Sequence, residues 1–264
     1  MCATPISPAG RRFDRRRVLA VALALAWWLP APGLSAQTNQ PSGADMVAYA
    51  EKTLQAARAR LNQCPTNAEA AWQFGRACFD RAEFATNDTE RATLAVTGIA
   101  VMRGLVAREP KSAAGHFYLA MNLGQLARTK LLGALKLVDE MEQEFAAARA
   151  LDEHFEHAGP DRNLGQLYFQ APGWPASIGS RSKAHKHLER AVALAPDFPE
   201  NRLNLLEAYC EWGDTKGIRR ELKAIAGLWP AAKTNFTGPA WNSDWAAWEK
   251  RREELQVLAA KKLK

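Results

Sequence analysis

Between Tyr118 and Thr129, polar side chains recur at helical spacing. Tyr118, Asn122, Gln125 and Thr129 stand at i, i+4, i+7 and i+11, so one face of an otherwise apolar helix carries hydroxyl and amide groups. The chemistry available there is hydrogen bonding to a peptide, a partner helix or a small molecule. Corresponding positions in neighbouring segments hold Gln73, Asp80 and Arg81 before it, and Asn201, Asn204, Glu211 and Trp212 after it. Two readings fit the pattern: a polar binding groove, or an ordinary solvated face.

Other residues with chemical potential are isolated. His154 and His157 stand three apart, with His185 and His187 further along, and a metal would need them to converge as deprotonated ligands. No metal or other cofactor is expected. There is no G-x-S-x-G elbow, no HExxH and no phosphate-binding glycine loop, and Gly173 and Gly179 stand alone. The chain therefore reads as non-catalytic. Trp174 sits between Gly173 and Pro175, either as an interface anchor or as a cap over a core. If Cys64 ends one helix and Cys78 lies well inside the next, they are too far apart for a disulfide. Cys78 and Cys210 are expected as small buried apolar residues.

These positions have to be carried by helices. The apolar spacing predicts helices over 44–62, 67–85, 89–108, 112–128, 130–157, 161–169, 181–194, 200–212, 215–227 and 242–262. Breaks are expected at Pro65, Pro110, Gly159-Pro160, Pro196 with Pro199, Gly213-Asp214 and Pro230. A repeat emerges when the prolines are aligned: Trp72, Phe117 and Leu203 each follow a proline by seven residues. The clearest unit runs Ala184, Leu188, Ala191, Leu194, Pro196, Leu203, Leu206, Cys210 and Gly213-Asp214, which resembles a tetratricopeptide unit. Pro196 and Pro230 are separated by the 34 residues of that repeat. The expected fold is all-α, a tetratricopeptide-like α-solenoid of stacked antiparallel helix pairs. Trp241, Trp245, Trp248 and Leu255 mark a stripe on a C-terminal capping helix.

The N-terminal segment predicts export from the cytoplasm. Hydrophobic residues make up 47% of its 264 residues and charged residues 24%, as in a folded globular chain. Arg11 to Arg17 form a basic region, Val18 to Leu29 an apolar one, and Leu34-Ser35-Ala36 a cleavage site. The division expected is a signal peptide at 1–36, a linker at 37–43, the helical domain at 44–230 and the capping helix at 231–264. Arg15-Arg16-Arg17-Val18-Leu19 resembles a twin-arginine signal, so export by either the Sec or the twin-arginine route into the periplasm is expected. Residue 37 is Gln, not Cys, and no lipid anchor or membrane span is predicted. Of the net charge of +7, the leader's five arginines and Asp14 account for most, and beyond it acid and base are mixed. A nucleic-acid partner is not expected.

A more specific likeness runs from Gly115 to Pro196. It comprises Leu119 to Lys130, Gly133-Ala134-Leu135-Lys136, Leu151-Asp152, Ala158-Gly159-Pro160, Leu164-Gly165, Tyr168, Ala171-Pro172-Gly173-Trp174-Pro175 and Ser177-Ile178-Gly179. Together these resemble the T components of tripartite ATP-independent periplasmic (TRAP) transporters. The resemblance implies a periplasmic helical-repeat protein that assembles as a homotrimer with a hydrophobic pore. It also implies a small hydrophobic ligand and a substrate-binding component as protein partner. A cell-envelope scaffold without a small-molecule ligand is the alternative.

Overall fold

Capping side chains punctuate the chain into helices. The computed structural model describes residues 42–130 and 133–264; the leader and most of the linker lie outside them. Ser42 and Asp45 form a reciprocal capping box that opens α1 (Gly43–Gln63). Asn67 opens α2 (Ala68–Ala82), Asn87 opens α3 (Asp88–Arg108) and Ser112 opens α4 (Ala113–Ala127), each accepting a backbone N–H from the first turn. After α5 (Ala134–Leu151) and α6 (Phe155–Gln170), Ser180 caps α7 (Arg181–Leu194) in the same way. Pro199, its φ already suited to a first turn, starts α8 (Pro199–Trp212). That helix ends on Gly213 at φ 70°, a left-handed cap that glycine adopts without steric cost. Asp214 then caps α9 (Thr215–Asn235), and a short 3₁₀ turn at Pro239–Trp241 leads into α10 (Asn242–Lys262).

The ten helices of the described residues pack as consecutive antiparallel pairs. α2, α4, α6, α8 and α10 form an inner layer, with α3, α5, α7 and α9 outside it and α1 against α2. α10 runs alongside α8 in the same direction: Trp248 meets Phe198 edge-on at 5.4 Å, Arg251 bonds Asn204, and Lys262 comes near Cys210. The charge of Asp244 on α10 acts on Arg76 on α2, so the inner layer curves enough to bring the two within electrostatic range.

Two large apolar clusters fill the space between layers. One joins α2 through α6 around Phe117, Met121, Met141 and Phe145; the other joins α7 through α10 around Phe198, Leu203, Tyr209 and Trp248. Phe169 and Trp212, edge to face at 5.6 Å, pack against both and make the core continuous. The expected tryptophan stripe caps the second cluster, with Trp248 fully buried and Trp241 and Leu255 beside it. Cys78 and Cys210 are buried free thiols, and burial pushes them up to about 12 and about 11.

Three expectations need correction. Pro230 does not end a helix: it lies inside α9, which runs on to Asn235. The 34-residue interval from Pro196 to Pro230 is therefore not the period of the array. Successive inner helices begin further apart, at Ala68, Ala113, Phe155, Pro199 and Asn242, because outer helices such as α3 and α9 are 21 residues long. The helix expected over 130–157 is shorter, and its last residues belong to a tight turn described below.

Trp248 is the most consequential single side chain of the capping helix. Trp248→Ala is expected to lower stability by about 3–5 kcal/mol through lost burial and the cavity left behind. Urea or guanidinium unfolding checks this, and a loss below about 1 kcal/mol contradicts the packing described.

Candidate functional site

Three consecutive residues without glycine's freedom occupy the left-handed region at the head of α6. Glu156, His157 and Ala158 have φ of 49°, 57° and 61°. Each costs about 1–2 kcal/mol relative to the right-handed form, so neighbours must hold the turn in place.

Arg162 and Asn201 do so. One Arg162 guanidinium nitrogen, Nη1, donates to the carbonyls of Glu156 and His157 at 3.0 Å each, and stands 3.3 Å from Asn201 Oδ1. Asn201 Nδ2 in turn donates to the carbonyls of His157, Ala191 and Ala195 at 3.0–3.1 Å, tying the turn to the end of α7. The Arg162 guanidinium lies over the Phe198 ring at 4.9 Å and pairs with Glu200 at 3.7 Å. The His157 ring stacks on the other aromatic surface there, parallel to Phe198 at 4.5 Å and edge-on to Phe236.

The turn presents Glu156 to the inner layer. Tyr118 on α4 donates its hydroxyl to Glu156 Oε1 at 2.6 Å, and Arg76 on α2 reaches the same oxygen at 3.5 Å. Asp80 lies one turn along α2, 3.7 Å from Arg76. Burial acts to lower the Arg76 pKa, yet Tyr118, Glu156, Asp80 and Asp244 outweigh it and hold the guanidinium above its ordinary value. Burial moves Arg162 the other way, below its usual range, against the pull of Glu200, Glu156, Asp244 and Tyr118. The same burial drives the Tyr118 phenol well above its normal value, so it is a hydrogen-bond donor throughout the working range. Arg76, Tyr118, Glu156, Arg162, Glu200, Asn201 and Asp244 thus form a buried polar hub to which every inner helix contributes. Within it, Glu156 Oε2 and Arg162 Nη2 are buried without a hydrogen-bond partner in the structure.

A second ionic node braces the outside. Asp161, fully buried, accepts from Arg149 Nε at 3.0 Å and sits 2.6 Å from His187 Nδ1 and 3.4 Å from Arg190 Nε, which joins α5, α6 and α7.

The residues picked out by helical spacing divide into four groups. Tyr118, Asp80 and Asn201 meet in or beside the hub. Gln73 and Arg81 face neighbouring helices instead: Gln73 accepts from Arg60 on α1 at 2.7 Å, and Arg81 pairs with Glu51 on α1 and Glu90 on α3 at 2.8 and 2.6 Å. Asn122, Gln125, Asn204 and Trp212 join helices to one another. Asn122 Nδ2 bonds the carbonyls of Gly75 and Tyr118 at 2.9 and 2.7 Å, and Gly98 leaves room for it, since a Cβ there would stand 2.2 Å from Asn122 Oδ1. Gln125 donates to Glu83 at 2.5 Å, and Asn204 accepts from Arg251 at 2.5 Å. Trp212 lies against Phe169 and under the Arg181 guanidinium. Thr129 lies past the end of α4, and Glu211 is exposed. The stripe Tyr118–Asn122–Gln125 is buried and so is not a solvated face.

Trp174 is 89% exposed and caps no core. The histidines do not converge, and among the described residues no group of three or more His, Cys, Asp or Glu could hold a metal ion. Spacing alone missed Arg76, Glu156, Arg162, Glu200 and Asp244. Their signal was a charge on the core side of an apolar helix pattern in one segment after another.

Two tests follow from the turn. Ala158→Gly removes the left-handed penalty, so it is expected to stay within about 1 kcal/mol of the parent in chemical denaturation, while β-branched Ala158→Val loses several times that. Loss of stability in the glycine variant equal to that in the valine variant contradicts a left-handed position. The second concerns His157, which burial, helped by the Arg162 charge, lowers to about 4. The unfolded chain, with an imidazole near 6.5, takes up its proton first as pH falls. The stabilisation from neutral His157 is therefore complete above about pH 6.5 and is lost as pH drops towards about 4. His157→Asn, which tolerates a positive φ, should flatten that stretch of the stability–pH curve. An unchanged slope would place the titration elsewhere.

No family model and no curated protein matches the chain. Among solved structures it is similar to TTC0263, a thermophilic TPR (tetratricopeptide repeat) protein of Thermus thermophilus. The TM-score is 0.57 at 18% sequence identity, covering 82% of this chain and 92% of that one. A likeness at that identity speaks for the fold alone: the chain is an all-α, tetratricopeptide-like array of antiparallel helix pairs. Stacking of the pairs creates an extended surface along the array.

Proposed function

We propose that this protein is a non-catalytic adaptor of the periplasm that binds a partner protein against its inner helix layer, in the manner implied by its resemblance to TRAP-transporter T components. The observation that carries the reading is the hub. A strained turn there holds Glu156 and Arg162 under cover, and Oε2 and Nη2 remain without a hydrogen bond, at a cost in stability. An incoming N–H donor could complete Glu156 and an incoming oxygen could complete Arg162, and a polypeptide segment carries both. The charged inner layer favours such a partner over the small hydrophobic ligand that the resemblance implies. Export by a cleaved leader and assembly into a trimer are parts of the same proposal, supported by the residues of the leader and by the resemblance. No nucleophile–base pair is part of the hub, which supports binding over catalysis.

Native mass spectrometry of protein recovered after export, compared with Glu156→Gln, tests the proposal. The substitution keeps the shape and an oxygen for Tyr118 but removes the charge. The parent is expected to carry a reproducible partner that the variant, still folded by circular dichroism, loses, and a trimer would support the T-component reading. Bare monomer in both samples overturns it.

A further inference from the structure

The end of the array where the inner helices finish carries an aromatic and a charge pattern that the hub does not use. The segment between α6 and α7 is closed by its own backbone: Gly179 N donates to the Pro172 carbonyl at 2.8 Å, Ser180 N to that of Tyr168 at 2.9 Å, and Ala176 N to that of Gly173 at 3.1 Å. Gly179 is required, because a Cβ there would stand 2.1 Å from the Ala171 carbonyl oxygen. The closed loop turns Ile178 inward against the core and Trp174 outward, 89% exposed. Leu135, at the start of α5 on the same end, is 43% exposed.

Basic side chains surround this end. Lys130, Lys136, Arg181, Lys186, Lys216 and Lys262 are all exposed there, at the α4–α5, α6–α7 and α8–α9 turns and the end of α10. Asp139 and Glu211 are the carboxylates exposed among them, and the α2–α3 turn, with Asp88, is the acidic limit of the patch. No helix of the described residues is long and apolar enough to cross a membrane.

We infer that this end of the array docks on the surface of an anionic lipid bilayer, with Trp174 seated among the headgroups and the surrounding lysines and arginines on lipid phosphates. An indole, part apolar and part hydrogen-bonding, partitions to that depth, and a positive ring concentrates a protein at a negative surface within a Debye length. A rigid loop adds to this because little entropy is lost when the ring inserts. The contact is peripheral, lies at a different place from the hub and does not depend on it.

Quenching by brominated lipid, read as the difference between the parent and Trp174→Phe, reports on Trp174 alone. Vesicles with a phosphatidylglycerol fraction are expected to quench that difference signal, and phosphatidylcholine vesicles are not. Lys186→Glu with Lys216→Glu should weaken vesicle binding by roughly tenfold or more, as should a rise in salt. Absence of quenching on the anionic vesicles overturns the inference, as does equal quenching on both lipids or unchanged affinity in the charge-reversed variant. A partner protein occupying the loop would leave Trp174 unquenched on every vesicle and so falls among the overturning results.

Discussion

Glu156, His157 and Ala158 wind left-handed at the centre of the inner layer, and the placement of the surrounding helices is coupled to that turn. Its carbonyls would be orphaned inside the protein without Arg162 and Asn201. Arg162 would be an unpaired buried cation without those carbonyls, the Phe198 face and Glu200. Asn201 reaches back to the end of α7, so the same amide also sets how the third helix pair meets the fourth. A handful of polar groups therefore fixes the relation of α6, α7 and α8, which apolar contact alone would leave free to slide.

The hub also explains why the array curls as it does. Tetratricopeptide-like pairs bury one face on the next pair and leave the inner surface to be specified by side chains. Here that surface carries opposite charges on facing helices, Arg76 and Arg162 against Glu156, Glu200 and Asp244. Their mutual attraction in a site of reduced dielectric favours closure of the inner layer over an open crescent. On the outer side, Asp161 ties α5, α6 and α7 together through Arg149, His187 and Arg190.

Candidate binding positions and stabilising contacts therefore coincide in this protein. Residues that a helical-spacing pattern marks for a groove are also the ones that join helices, as Asn122 and Gln125 do. The hub adds a strained backbone to buried atoms without a hydrogen bond, Glu156 Oε2 and Arg162 Nη2.

Much of the architecture was legible in the amino-acid order. Ser112, Ser180 and Asp214 announce helix starts and Gly213 a helix end, because capping is chemistry between near neighbours in the chain. The tryptophan stripe of α10 was likewise visible as a face needing cover. Pro230 misled because a proline can sit within a helix when its surroundings compensate, and only packing shows that it does. The left-handed turn left no local trace, since none of its residues is glycine and its stabilising contacts come from Arg162 and Asn201. Arg76, Tyr118, Glu156, Glu200 and Asp244 stand on successive inner helices, and their meeting depends on how the pairs curl. Local capping and apolar spacing thus determined the helices and their class. The hub and the exposure of Trp174 were decided by tertiary structure, because both depend on contacts between residues that are distant in sequence.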